Sequence, residues 1–100
     1  MTSRIDLHIH SSVSDGKFSP EDIVHWAAKL GLTVIALCDH DSVDGIAPAL
    51  EAARGLQKIR VIPGVELSTY APGNEVHILG YFIDYTDHEL KATLASLRSS

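Results

Sequence analysis

One hundred residues bound the chain to one small domain, and 45% hydrophobic with 21% charged residues is the composition of a globular chain rather than a disordered or fibrous one. A net charge of −5 speaks against broad nucleic-acid binding through a basic surface, but leaves a nucleotide substrate open, because bound divalent cations would reverse the local sign. The single cysteine, Cys38, excludes an internal disulfide; no stretch reaches the roughly 18 apolar residues of a membrane span, and the N-terminus lacks the apolar core of a signal peptide, so a cytoplasmic protein is the default expectation.

Arg4 to His10 reads as a strand, followed by a polar loop, Ser11 to Gly16, with an Asp-Gly pair. A helix comes next: Ser19 is the N-cap candidate, Pro20 suits the first helical position, and Glu21 and Asp22 suit the positive end of the dipole. Ile23, Trp26, Ala27 and Leu30 form its apolar stripe, and Gly31 ends it. Thr33 to Cys38 is a continuous β-branched and apolar run, the pattern of a strand covered on both faces. A second helix is expected from Gly45 or Ile46 to Arg54, with Pro48 tolerable only in its first turn and Gly55 as its stop. Lys58 to Val65 reads as a third strand interrupted by Pro63-Gly64, and Pro72-Gly73-Asn74 as a turn. Glu75 to Ile83 is a fourth strand, and Thr86 or Asp87 caps a last helix carrying Leu90, Leu94 and Leu97. The order β-α-β-α-β-β-α implies parallel crossovers and an α/β layer or barrel. A complete barrel needs about 250 residues, so the expectation is a small open α/β domain or the first portion of a larger barrel.

The polar residues cluster in this frame. Six histidines is a high count for the length. In Asp6-Leu7-His8-Ile9-His10, positions two apart share a strand face, so Asp6, His8 and His10 point one way and Ile5, Leu7 and Ile9 the other. His40, flanked by Asp39 and Asp41, follows the second strand; Glu66 ends the third; His77 lies on the fourth. Sites in parallel α/β sheets form at the C-terminal strand ends. Imidazoles and carboxylates delivered there from four segments suit zinc, manganese or iron in a hydrolytic centre better than a structural zinc site. A carboxylate such as Glu66 can bridge two metals, an arrangement that suits phosphoryl displacement.

These segments resemble, in order, the motifs of the PHP (polymerase and histidinol phosphatase) family: Asp6-Leu7-His8-Ile9-His10-Ser11-Ser12, Ser14-Asp15-Gly16, Asp39-His40-Asp41, Pro63-Gly64-Val65-Glu66-Leu67-Ser68 and Val76-His77-Ile78-Leu79-Gly80-Tyr81. The resemblance, strongest to small stand-alone metal-dependent phosphoesterases, implies the N-terminal portion of a distorted (β/α)7 TIM-like barrel spanning residues 1–100. It implies two or three divalent ions (Mn, Zn or Fe): His8 and His10 on one, Glu66 bridging it to a second that His77 also binds, and Asp15 and His40 on a third. No side chain is then the nucleophile; a metal-bound hydroxide attacks phosphorus in a nucleotide or short oligonucleotide. Cys38 stands where family members usually have threonine, and reads as a small buried residue rather than a ligand. The later family motifs, a histidine in an Ala-His-Pro context, an Asp-x-His pair and a phosphate-binding arginine, are not in these 100 residues.

Other readings stand beside these. Asp15 alone reads as a turn residue; Asp6, Asp39 and Asp41 read as groups that orient imidazoles from behind, with Asp6 alternatively a strand-end charge and Asp41 alternatively a helix cap. His25 and His88 read as solvated, Tyr81, Phe82 and Tyr85 as core and rim, and Ser11 and Ser12 as phosphate contacts or plain loop polarity. A non-catalytic metal-binding fragment and a metal-dependent amidohydrolase are the competing functions. An unclosed sheet edge also predicts self-association.

Overall fold

The structure, a computed structural model, describes residues 4–56, 58–71 and 73–98. Its elements are β1 (Arg4–Ile9), α1 (Pro20–Lys29), β2 (Leu32–Leu37), α2 (Ile46–Arg54), β3 (Arg60–Ala71), β4 (Asn74–Tyr81) and α3 (His88–Arg98), the order expected. The four strands form one sheet in the order β1-β2-β3-β4, parallel from β1 to β3 and antiparallel between β3 and β4. The sheet curls into half a barrel. Its curvature is enough for the Tyr81 hydroxyl, at the end of β4, to donate to the Leu7 carbonyl of β1 at 2.7 Å.

Local chemistry starts α1 as expected. The Ser19 hydroxyl accepts the Asp22 N–H at 3.1 Å, Pro20 fills the first turn, and Gly31 follows the helix with φ +83°. The buried face differs from the expected stripe. Ile23, Val24 and Ala27 are buried, whereas Trp26 and Leu30 are 50% and 60% exposed. The helix packs mainly onto β2 and α2, and its Trp26 and Leu30 side stays open. Trp26 and Leu30 there help to line an apolar cavity of about 450 Å³ with Ile9, Phe18 and Leu32.

The main core lies between the helices and the sheet, with Ile23, Val24, Ala27, Ile35, Leu37, Ala49, Ile59 and Val61. A second cluster, Val43, Ile46, Val65 and Leu94, seats α3 through Leu90 and Leu97 and takes in Tyr85. Ala36, Cys38 and Ile62 are buried on the other side of the sheet. β2 is thus covered on both faces, as its composition predicts. β1 is less so: it is an edge strand, Ile5 and Leu7 are exposed, and Ile9 is the β1 residue that packs against the core.

Pro63-Gly64 does not interrupt β3, contrary to expectation. Pro63 is the last residue paired with β2, opposite Leu37, and Gly64 the first paired with β4, opposite Tyr81. The missing N–H falls where the strand changes partner. Gly64 is needed for space, since a Cβ there would lie 2.7 Å from the Cys38 sulfur. Glu66 is consequently inside a 12-residue strand rather than at its end. β4 ends at Tyr81, short of the expected Ile83, because Phe82 turns away with φ +57°; its ring is 68% exposed and belongs to neither core nor rim packing. Of the two cap candidates for α3, Asp87 serves, accepting the Glu89 N–H at 3.2 Å, while Thr86 bonds Asp84. Pro72, in the expected turn, lies outside the described residues; Gly73 has the positive φ (+84°) that such a turn requires.

Candidate metal centre

Glu66 is the centre of the site. Its side chain is 4% exposed, and its backbone is tied to the end of β2 by two hydrogen bonds: Glu66 N–H to Asp39 O and Asp41 N–H to Glu66 O, both 3.0 Å. The bridge extends the β2–β3 pairing beyond β2 and sets His40 directly beside Glu66. His77 reaches the same carboxylate from β4, where it lies opposite Ser68.

The imidazoles divide between the two oxygens of Glu66. His8 Nε2 hydrogen-bonds Oε1, which His10 Nε2 also meets at 2.8 Å; the two ring nitrogens are 3.2 Å apart. His77 Nδ1 meets Oε2 at 2.5 Å, and His40 Nδ1 lies 3.7 Å from the same oxygen. On its other side His10 presents Nδ1 to Asp15 at 2.7 Å, while His40 Nε2 is 3.3 Å from the second Asp15 oxygen.

Asp15 arrives by way of a latched loop. Asp39, 2% exposed, accepts the Ser11 N–H at 2.5 Å, the Ser11 hydroxyl at 2.6 Å and the Ser14 hydroxyl at 2.8 Å. Gly16 N–H returns to Ser11 O at 2.8 Å, and a Cβ at Gly16 would sit 2.2 Å from the His10 carbonyl, so only glycine allows so tight a fold-back.

The three flanking aspartates differ from the expected pattern. Asp6 accepts the backbone N–H of His8 at 3.1 Å and does not touch its ring. Asp39 holds the loop rather than an imidazole. Asp41, with φ +50°, accepts the Ser68 N–H at 2.9 Å and does not cap α2, which starts at Gly45 without a side-chain cap. Sequence reasoning missed Glu75: its carboxylate lies 2.8 Å from His77 Nε2. The two-residue spacing on one strand was the available signal. It also left Ser11 between two readings; the hydroxyl is committed to Asp39. His25 and His88 are exposed, as expected.

The electrostatics follow from the contacts. Burial pushes the Glu66 carboxyl up, but hydrogen bonds from His8, His10 and His77 outweigh it and hold the group at about 2. Asp15 is likewise opposed by burial yet lowered, by His10 and His40. His77 is raised, first by Glu75 and then by Glu66. The Cys38 thiol is pushed up to about 11, first by burial and then by Glu66; it points at the Leu7 carbonyl, 3.6 Å away, and stays out of the cluster.

Three overlapping donor groups result: His8, His10 and Glu66; His10, Asp15 and His40; His40, Glu66 and His77, each with ligand atoms within 4.8 Å of one another. Imidazole and carboxylate donors so arranged fit divalent cations.

The family model of the PHP domain matches residues 6–96. The chain belongs to the PHP family. Among curated relatives, the PHP chain is 44% identical over 99 residues to a 5'-3' exoribonuclease of Haemophilus influenzae, covering 99% of this chain and 36% of that protein. It is 40% identical over 96 residues to a 3',5'-nucleoside bisphosphate phosphatase of Chromobacterium violaceum, covering 96% and 33%. Two solved structures superpose with a TM-score of 0.87. One is an amidohydrolase of Chromobacterium violaceum with bound sulfate and no metal, 40% identical and covering 97% of this chain and 34% of that one. The other is a candidate metal-dependent phosphoesterase of Bifidobacterium adolescentis, 29% identical and covering 99% and 34%. The PHP chain spans about a third of the length of the curated relatives it matches. No helix among its described residues is long and apolar enough to cross a membrane.

Proposed function

We propose that this chain contributes the metal centre of a hydrolase that cleaves phosphate esters in nucleotides or short oligonucleotides. One observation carries the reading: five side chains from four other segments gather around the buried Glu66 carboxylate in three overlapping donor groups. The named activities of the relatives, exoribonuclease and nucleoside bisphosphate phosphatase, supply the substrate class. The sulfate in the Chromobacterium violaceum neighbour has the shape of a phosphate group.

His8, His10, Asp15, His40, Glu66 and His77 would hold two or three ions of manganese, zinc or iron. When bound, such ions neutralise phosphoryl oxygens and lower the pKa of water toward about 7. The chain's own contributions are positional. Glu66 offers one oxygen to the His8–His10 side and the other to the His77 side, the disposition of a bridging carboxylate. Asp39 fixes the loop that presents Asp15. His8, Asp15 and His77 keep side-chain exposures of 49%, 59% and 41%, leaving the rim open to a phosphate. The ion pairs of the cluster involve no Lys or Arg among the described residues.

The test is phosphate or nucleotide release from a 3',5'-nucleoside bisphosphate and from a 5'-phosphorylated RNA oligomer, with manganese and with chelator. Saturable turnover that chelation abolishes is the expected result. Full metal content and turnover in Glu66→Ala would contradict the bridging role. A second reading is favoured by the coverage: each donor group has three side chains, and the chain spans a third of its relatives, as a first portion of a PHP domain would. Stoichiometric metal binding without turnover would select that non-catalytic module. Amide hydrolysis rests on the name of one neighbour, and a parallel panel of C–N substrates decides it.

A further inference from the structure

We propose that Glu75 is a positioning residue for His77: its carboxylate takes the Nε2 proton in a hydrogen bond, so that Nδ1, on the Glu66 side, is the nitrogen left to bind a cation. The proposal rests on the metal reading above for its purpose, but not for its geometry. Glu75 and His77 are two apart on β4 and share a strand face. The antiparallel register, Glu75 opposite Tyr70 and His77 opposite Ser68, places both beside β3. Oε1 of Glu75 is 2.8 Å from Nε2, while Nδ1 is 2.5 Å from Oε2 of Glu66.

A neutral imidazole has one proton to share between these two carboxylates. Either carboxylate can accept it, and the choice decides which nitrogen can bind a cation. Glu66 belongs to two donor groups and turns to a cation when one is present. Glu75 belongs to none of the three, so its remaining partner is the imidazole. It is the second carboxylate of a carboxylate–histidine–metal relay, which fixes the tautomer and ring orientation and raises ligand basicity. His10 differs: both its carboxylate partners, Asp15 and Glu66, are themselves candidate ligands. The Glu75 side chain is 50% exposed, so its replacement removes little packing and isolates the effect on the ring.

The experiment is titration of the 100-residue protein with zinc chloride, with long-range ¹H–¹⁵N NMR of the zinc-loaded form. The zinc-loaded wild type is expected to show His77 with its proton on Nε2 and the metal on Nδ1. Glu75→Ala should weaken the binding of one zinc ion by about 10- to 100-fold, leaving the melting profile unchanged. Glu75→Gln, which keeps an acceptor oxygen, should restore most of the affinity. A proton on Nδ1 in the zinc-loaded wild type overturns the proposal, as does a Glu75→Ala variant with unaltered zinc binding. Absence of zinc binding in the wild type defeats the metal reading and this proposal together, whereas a proton on Nδ1 with zinc bound defeats this proposal alone.

Discussion

Neighbouring strands β1 and β2 each carry isoleucine, yet Ile5 is 58% exposed and Ile35 is fully buried. β2 has a strand on each side, α1 on one face and Ala36 buried on the other; β1 has one neighbouring strand and gives Ile9 to the core. The difference teaches how the centre is divided. The imidazoles His8 and His10 come from the exposed strand, and the carboxylates that organise the site, Asp39 and Glu66, come from the buried ones. Imidazoles on the more exposed strand thus meet desolvated acceptors.

The contrast breaks most directly by truncation. Ile35→Ala should cost about 2–5 kcal/mol through transfer and cavity effects, whereas Ile5→Ala should fall within about 0.5 kcal/mol. Urea denaturation of both variants measures this, and equal losses would mean that β1 is as well packed as β2 in solution. On the carboxylate side, Glu66→Ala should weaken zinc binding by more than about 100-fold, beyond the range for residues behind a ligand, as isothermal titration would read. Asp39→Asn leaves Ser11 and Ser14 without their full acceptor and should cost about 1–3 kcal/mol, with weaker metal binding at the Asp15 group.

pH sharpens the same division in the metal-free protein. Glu66 is held at about 2 against an ordinary 4.5, so its contribution to stability is complete above pH 4.5 and is lost as pH falls through 2. His77 is raised, so its contribution is complete below its ordinary 6.5 and fades as pH rises through the raised value. Thermal melts should therefore show the two gains together between about pH 4.5 and 6.5, and in Glu66→Ala the acid-side loss should be smaller. The gentlest probe is association. Ile5, Leu7, Phe18, Trp26 and Leu30 are exposed around the free β1 edge, and the 100-residue chain should self-associate in light scattering. Trp26→Ser with Leu30→Ser should lower the apparent mass with little change in melting; a wild type that stays monomeric at high concentration would contradict the expectation.

Much of this architecture was legible in residue patterns. Ser19-Pro20-Glu21, the β-branched run of β2 and Gly55 mark elements through local chemistry, and local chemistry persisted in the fold. Five of the six candidate ligands were legible because imidazoles and carboxylates on or just after predicted strands are unusual; Asp15 was legible only through the order of the PHP motifs. What escaped depends on neighbours. The exposure of Ile5 and Trp26 follows from which helix covers which strand. Pro63 is a breaker in isolation and harmless where β3 changes partner. Asp39 sits beside a histidine in sequence but turns to serines 28 and 25 residues away, a pairing that no spacing rule reveals.

That change of partner within β3 also orders the assembly of the centre in time. His77 and Glu66 are 11 residues apart and joined by a hairpin, whereas His8 and His10 lie 58 and 56 residues from the same carboxylate, across two crossovers. Short loops close at lower entropic cost and faster than long ones. On refolding from denaturant, the β3–β4 hairpin is therefore expected to close before the two N-terminal imidazoles dock.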